Sequence, residues 1–392
     1  MRPSALRLTA SFLLLLGSSS AIIAQGVDQI NVVTTAVPFL RISPDARSGG
    51  MGDLGIATLP DANAGFWNMG KVAFNTSKGG VSASYVPWLK ELVNDVYLAS
   101  LGGYYKFSED QAITASLRYF SLGNIDFTDG IGQLNGTGRP REFGIDVGYS
   151  RRLSSHSGLG VALRYINSDL ASGATSSTGT YKTGNAVAAD IGFYHTNVTD
   201  AAGGFSWGVT LTNLGSKISY TDNANAKDFI PANLGLGGTW TKRFNESNQV
   251  TFGLDINKLL VPTPPGPGYT QAQLDAYRSK SVISSWFSSF SDAPNGFSEE
   301  IKEFQVSLGA EYVYNEQFAV RAGYFLEDKT KGNRSFFSLG VGVIYNRIGL
   351  DFSYLVPSGS GVDRNPLSNT LRFSLHFNFD SGNSGSKATT TN

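Results

Sequence analysis

The sequence predicts an all-β fold: a transmembrane antiparallel β-barrel of about 14 strands with an N-terminal plug, or hatch, segment inside its lumen. Three observations carry this expectation. Segments of suitable length alternate apolar and polar residues with a period of two, the pattern of a strand whose two faces meet different surroundings. The connections between them alternate between short and long, as periplasmic turns and external loops do in outer-membrane barrels. Only 16% of the 392 residues are charged, against about 25% in a typical soluble domain.

The chain begins MRPSALRLTASFLLLLGSSSAIIAQG, with Arg2 and Arg7 ahead of an apolar run and then small residues. This is the pattern of a secretory signal peptide over residues 1–24, too short in its apolar part for the roughly 20 residues of a spanning helix. Its removal leaves 29 bases against 31 acids, a charge of −2. Near-neutral charge offers no electrostatic case for nucleic acid. The absence of cysteine excludes a disulfide framework, a thiolate metal site and a cysteine nucleophile.

Residues 25–78 form the expected plug and residues 79–380 the expected barrel. Alternating segments lie near 79–88, 96–107, 111–121, 141–152, 157–170, 184–196, 204–214, 231–244, 248–258, 301–314, 317–325, 334–345, 347–355 and 368–379. Their lengths bracket the roughly 9–11 residues of a tilted membrane strand. SED, SSH, NES and NE are short connections, whereas 122–140, 171–183, 215–229, 259–300, 326–333 and 356–367 are long. A soluble sandwich also alternates its faces, but nothing in it sorts connections by parity.

The apolar face then meets lipid, with Tyr and Phe near strand ends as interfacial girdles. The other face carries Arg118, Arg164, Arg321 and Arg372 against Asp146, Asp190, Asp255, Glu311 and Asp351. Mixed signs suit a packed lumen better than an ion-selective pore, which wants a ring of one sign. The plug stretch INVVTTAVPFLRISPDARSGGMGDLGIATLPDANAGFWNMGKVAF is too apolar for a disordered tail. Its candidate plug residues are Asp45, Arg47, Gly50, Gly52, Asp53, Asp61, Asn63, Trp67 and Asn68. Within it GMGDLG matches G-x-G-x-x-G, but Pro60 interrupts the helix that nucleotide binding requires. The glycines read instead as turns packed against the wall.

The run PFLRISPDARSGGMGDLGIATLPDANAGFWNMGKVAF, followed by VSASYVPWLKELVNDVYLASLGGYYKF, resembles the PorV (LptO) family of type IX secretion outer-membrane proteins. That family is itself similar to the FadL fatty-acid transporters. The close resemblance covers roughly residues 36 to 107. It implies a carrier in the outer membrane of a Gram-negative bacterium, with no enzymatic activity and no cofactor. Such a carrier takes cargo with a C-terminal signal domain from a large translocon barrel and delivers it to a surface sortase, which joins it to lipopolysaccharide. FadL-like hatches carry an Asn-Pro-Ala turn, which maps here to Asn68, Met69 and Gly70, so the proline and alanine are lost.

Two external loops offer partner-binding candidates. The long loop 259–300 leaves through VPTPPGPG, a stiff exit, and then spaces Ala276, Tyr277, Val282, Ile283, Trp286, Phe287 and Phe290 as one apolar face of a short amphipathic helix. It is either a cap over its own barrel mouth or an exposed patch for a partner, with Trp286, Phe287 and Phe290 as contacts. The first external loop, PWLKELVND, gathers Trp88, Leu89 and Leu92, as an interfacial anchor or a docking point.

Catalysis needs a base beside a nucleophile, and neither His156, His195 nor His376 has a patterned Ser and carboxylate. Three scattered His make no metal site. The polar tail 381–392 reads as disordered. Two alternatives stand beside the carrier. One is a FadL-like channel for hydrophobic small molecules, lined by Phe120, Tyr194, Phe325 and Leu355; the other is a plain porin.

Overall fold

A computed structural model describes residues 30–379 apart from 91–92, 129–130, 173–174, 177–178, 200, 224–225, 267 and 357–368. The expected leader, the polar tail and Leu92 lie outside the described residues. Among the described residues, fourteen antiparallel strands close into one barrel. They are β1 (Gly79–Pro87), β2 (Val96–Ser108), β3 (Gln111–Leu122), β4 (Arg141–Arg152), β5 (Ser157–Asp169), β6 (Gly184–Thr196) and β7 (Gly203–Gly215), then β8 (Asn233–Asn245), β9 (Asn248–Leu259), β10 (Phe304–Tyr314), β11 (Phe318–Leu326), β12 (Phe336–Tyr345), β13 (Ile348–Val356) and β14 (Leu371–Asn378). Each pairs with the next, and β1 pairs with β14 from Gly80↔Asn378 to Tyr85↔Phe373, so no edge is left open. Closure matters because hydrocarbon cannot satisfy a free backbone N–H or C=O. No described helix is long and apolar enough to cross a membrane.

The turns explain the tight end. Asn315 and Glu316 between β10 and β11, and Asn346 between β12 and β13, hold positive φ. Hairpin turns whose twist matches the flanking strands require that conformation, and Asn tolerates it. At the other end the connections carry small ribbons, such as Ile125–Thr128 against Leu134–Gly138. Most boundaries fall within a residue or two of expectation, and two of the shifted starts have a clear cause. β8 starts at Asn233, past Pro231, which has no N–H for the ladder, and β10 starts at Phe304 because Ile301–Glu303 is a turn of 3₁₀ helix.

The two faces sort as the period of two requires. All nine charged residues expected in the lumen are at most 6% exposed. Val81, Leu101, Leu117, Val147, Leu163, Leu254, Leu339 and Leu375 are exposed on the outer face. Outward aromatics gather toward both strand ends: Tyr85, Tyr97 and Tyr119 lie ring to ring toward the long-loop end, and Phe193 with Trp207 and Trp240 with Phe252 toward the turn end. This is the banding of a membrane-facing wall.

The segment before β1 packs against the inner face of the wall. It carries α1 (Ala46–Gly49), α2 (Ala64–Trp67) and a 3₁₀ stretch from Met69 to Phe74. The N–H groups of Ala46, Gly52 and Ala73 donate to Ser374 Oγ, Ser338 Oγ and Ser150 Oγ on β14, β12 and β4. Short inward side chains on the wall thus satisfy backbone that has no sheet of its own.

Candidate functional site

The contact between the inner segment and the wall is built from ion pairs and close backbone approach. Asp45 caps α1, accepting from Ser48 N–H at 2.8 Å, and also accepts from Trp67 Nε1 at 2.7 Å. Arg47 grips Glu311 on β10 through Nε at 3.0 Å and Nη2 at 2.9 Å, and reaches Asp61 and the Leu59 carbonyl through Nη1. Glu311 also accepts from Arg321, which pairs with Asp351, which in turn lies 3.3 Å from His376 Nδ1. Asp53 meets Arg372 at 2.7 Å, and Asp255 accepts the N–H groups of Gly55 and Ile56. Asn63 accepts from Ser82, and Asn68 donates to the Phe193 carbonyl on β6. A second polar chain, Arg118, Asp146, Arg164, Asp190 and Asn213, runs along the wall, and Arg118 donates from it to the Leu40 carbonyl of the inner segment.

Of the nine predicted inner-segment residues, Arg47, Gly50, Gly52, Asp53, Asn63 and Asn68 meet the wall, while Asp45, Asp61 and Trp67 bond within the segment, and the two glycines are sterically required. A methyl on Gly50 would lie 2.9 Å from Gly340 Cα. Gly52 has a φ of +70° and no room beside the Tyr324 backbone, where a methyl would sit 2.7 Å from the amide nitrogen. The phosphate-cradle alternative for this motif has no counterpart: Gly52 N–H is used by Ser338.

The four inward residues expected to line a pocket are packed against neighbours, and one of them, Phe325, also borders a cavity. Phe120 stacks on Phe39, Tyr194 meets Phe74 edge to face, and Phe325 stacks on Phe336 in a cluster with Leu355. A cavity of about 130 Å³ remains among Leu40, Arg41, Phe66, Arg118, Asn257 and Phe325, its wall polar and apolar in about equal parts. His195 accepts from or donates to Ser157 Oγ at 2.9 Å, His156 lies beside it, and no group of acids and His fit to hold a metal occurs among the described residues.

The outer candidates are corrected in two ways. The expected single amphipathic helix is two, α3 (Gln271–Ser279) and α4 (Val282–Ser288), because Lys280 and Ser281 are extended and Ser281 stands at the N-cap. The apolar residues therefore part: Tyr277 and Val282 pack inward on Phe229, Leu259 and Val261, while Ile283, Phe287 and Phe290 are exposed and Trp286 is half-buried. The cap and the patch are thus both present, on different residues. Lys217 holds the helices by donating to the carbonyls of Arg278 and Lys280. In the first loop, Trp88 and Leu89 are not an outward anchor; they turn inward onto Phe325, Phe336 and Leu355.

Sequence reasoning missed a buried charge cluster at the rim. Lys258 meets Glu300 and Glu303, and Lys331 meets Glu299 and Glu303. The available signal was parity: Lys258 follows Phe252, Leu254 and Ile256 on the outward face. Nearby, burial pushes the Glu327 carboxyl up, but hydrogen bonds and charge from Arg334, with Arg41, hold it below the usual range.

No curated protein matches the chain in sequence. Solved structures share its fold. The toluene transporter TbuX of Ralstonia pickettii matches with a TM-score of 0.52 at 12% identity, over 86% of this chain and 98% of that one. The toluene transporter TodX of P. putida gives 0.52 at 13%, over 86% and 98%. The monoaromatic hydrocarbon channel CymD gives 0.51 at 13%, over 87% and 98%. The family model described as type IX secretion system protein PorV matches residues 25–266, more than half of the sequence, from the inner segment through the exit of β9. This outer-membrane barrel belongs to the PorV family of the type IX secretion system.

Proposed function

We propose that this barrel is a non-enzymatic carrier of type IX secretion. It binds the C-terminal signal domain of cargo at the large translocon barrel and passes it to the surface sortase, which attaches it to lipopolysaccharide. The observation that carries this reading is the exposed apolar face of α4, with Ile283 and Phe287 one turn apart on a helix pinned over the barrel mouth. Exposed apolar patches on rigid supports are favoured sites for protein partners because little ordering is left for binding to impose. In this reading the inner segment acts as a plug, which its ion pairs and close backbone contacts with the wall support.

Replacing Ile283 and Phe287 together by Asp tests the docking face. Both side chains are exposed, so the barrel assembles as before, shown by its heat-modifiable migration, while cargo accumulates in the periplasm. Normal secretion with this variant refutes the assignment. The second reading, a channel for hydrophobic small molecules, is favoured by the fold shared with monoaromatic hydrocarbon channels. An acyl or aromatic molecule co-purifying in the lumen, with no protein partner, would decide for it.

A further inference from the structure

The rim cluster around Lys258 points to a second surface, directed at lipid rather than at protein. We propose that the segment from Ser289 to Phe304 is an interfacial foot that crosses the rim of the wall and seats Phe290, Phe297 and Ile301 in the outer leaflet of the bilayer. This rests on the barrel spanning a membrane and is independent of the carrier reading.

Strand parity fixes the side of the wall. Along β9, Thr251 bonds Thr241, Gly253 faces Leu54 and Asp255 holds the inner segment, so the odd positions face the lumen. Phe252 and Leu254 are exposed on the opposite face, and Lys258 continues their series. It pairs across to Phe304 on β10, yet it is only 1% exposed. Its ammonium meets Glu300 Oε2 at 3.2 Å and Glu303 Oε2 at 2.7 Å, with the rings of Phe290 and Phe304 5.7 and 5.4 Å away. The chain that covers Lys258 therefore crosses the rim, with Phe290, Glu300 and Phe304 on the outer side and Glu303 also bordering Val33 and Arg41 at the mouth.

That covering segment is pinned. Glu303 also takes Lys331 Nζ at 3.0 Å and Thr263 Oγ1 at 2.8 Å, Glu299 takes Lys331 at 2.6 Å, and Glu300 accepts the Ala293 N–H at 2.7 Å. The short helix α5 (Phe297–Glu300) thus turns its carboxylates to the wall and its apolar residues away from it. Phe297 is 78% exposed, Ile301 54% and Phe290 43%. Held in place, these side chains cannot collapse inward, and facing water would be unfavourable for all three.

Continuity names the occupant. Beside the foot, outward Leu326 is exposed at the rim of β11, and the outward rings of Tyr324 and Phe337 lie 4.5 Å apart in the band of aromatics at the external strand ends. The foot's apolar side chains extend this band sideways, where amphipathic rings sit at headgroup level. Charge agrees, because an anionic leaflet repels unpaired carboxylates. Glu299, Glu300 and Glu303 are taken up by Lys258 and Lys331, and Asp292 by Lys280.

The chain has no cysteine, so single cysteines can be labelled cleanly. The full-length protein carrying Phe297→Cys, and separately Ile301→Cys, is spin-labelled and reconstituted in phosphatidylethanolamine and phosphatidylglycerol vesicles. Leu254→Cys in the lipid-facing belt and Asp126→Cys on an exposed ribbon are the references. The expected result is an oxygen-to-nickel-chelate relaxation ratio near that of Leu254 and several-fold above that of Asp126, in barrels that keep heat-modifiable migration. A ratio equal to that of Asp126 overturns the proposal. So does a label that is shielded only when a translocon partner is added, which would make the foot a protein-docking surface.

Discussion

Glu311 is the junction through which the inner segment is locked to the wall, and its neutralisation isolates that lock. Glu311→Gln keeps the volume but removes the charge shared by Arg47 and Arg321, both less than one-seventh exposed. Breaking a buried ion pair by removing one partner costs about 3–5 kcal/mol, because an uncompensated charge is left behind. Arg47 keeps Asp61 and Arg321 keeps Asp351, which argues for the lower end, about 3 kcal/mol. At roughly 1.4 kcal/mol per tenfold, the opening equilibrium of the segment rises about a hundredfold. Hydrogen exchange followed by mass spectrometry reads this directly: amides between residues 45 and 61 exchange about a hundredfold faster, while those of the strands, held by the closed ladder, keep their rates. Arg47→Met added on top of Glu311→Gln has a smaller effect than Arg47→Met alone, since the pair is already broken. A change below tenfold, or one spread equally over the strands, would refute the view that this pair holds the segment.

Three further outcomes follow from the same contacts. In Gly323→Ala the new methyl collides with the Met51 carbonyl carbon, so the segment is pushed off β11; the barrel still assembles but conducts ions in a planar bilayer, and a silent bilayer would count against a plug. The tie from Glu327 to Arg334 and Arg41 carries a pH signature. Its carboxyl is depressed in the folded protein, so the stabilisation is complete above the ordinary Glu value and is lost as pH falls through the lower, folded one. Proteolysis within 327–335 should therefore stay constant from neutral pH down to about 4.3 and rise only below it; a rise already between roughly pH 6 and 5 would contradict the assignment. Lys258→Met leaves Glu300 without its cation and loosens 289–303, seen as faster exchange there than in α3; equal rates would show that Phe290 and Phe304 alone hold the segment.

The wall was legible because each strand repeats one local rule, and the rule is reset at every turn. Inward Asp146, Arg164 and Asp190 follow from alternation alone, and so do the exposed positions of Val147 and Leu163. The contact between segment and wall was legible only as a set of residue types. Arg47 and Glu311 stand 264 positions apart, so their pairing belongs to the closed barrel and to no local pattern. The break between α3 and α4 had a readable sign in Ser281, but the periodic run from Ala276 to Phe290 outweighed it. Trp88 turning inward had its sign in the parity of Ser82, Ser84 and Val86, but its destination, Phe325, Phe336 and Leu355, comes from three other strands. Lys258 lay in plain view as a charge on the greasy parity. Its burial was hidden because a lysine at a strand end ordinarily reaches for the headgroups.

The fold shared with hydrocarbon channels is a likeness of fold alone, and the contacts in the lumen favour the carrier reading over a conduit. A conduit must leave a continuous gap between its hatch and its wall. Here several of the inward positions that face the segment are glycines, and there the approach is backbone to backbone: Gly50 against Gly340, Met51 against Gly323, Met69 against Gly160. Opening such a contact means withdrawing a run of segment whose N–H groups are satisfied by wall serines and whose arginine is held by two carboxylates. Each group withdrawn needs a replacement partner, which a small apolar molecule cannot provide. A polypeptide or water could, but water would make the barrel a leak. The chemistry that a partner can reach without that cost lies on the outside, on the pinned helices at the mouth and the foot at the rim.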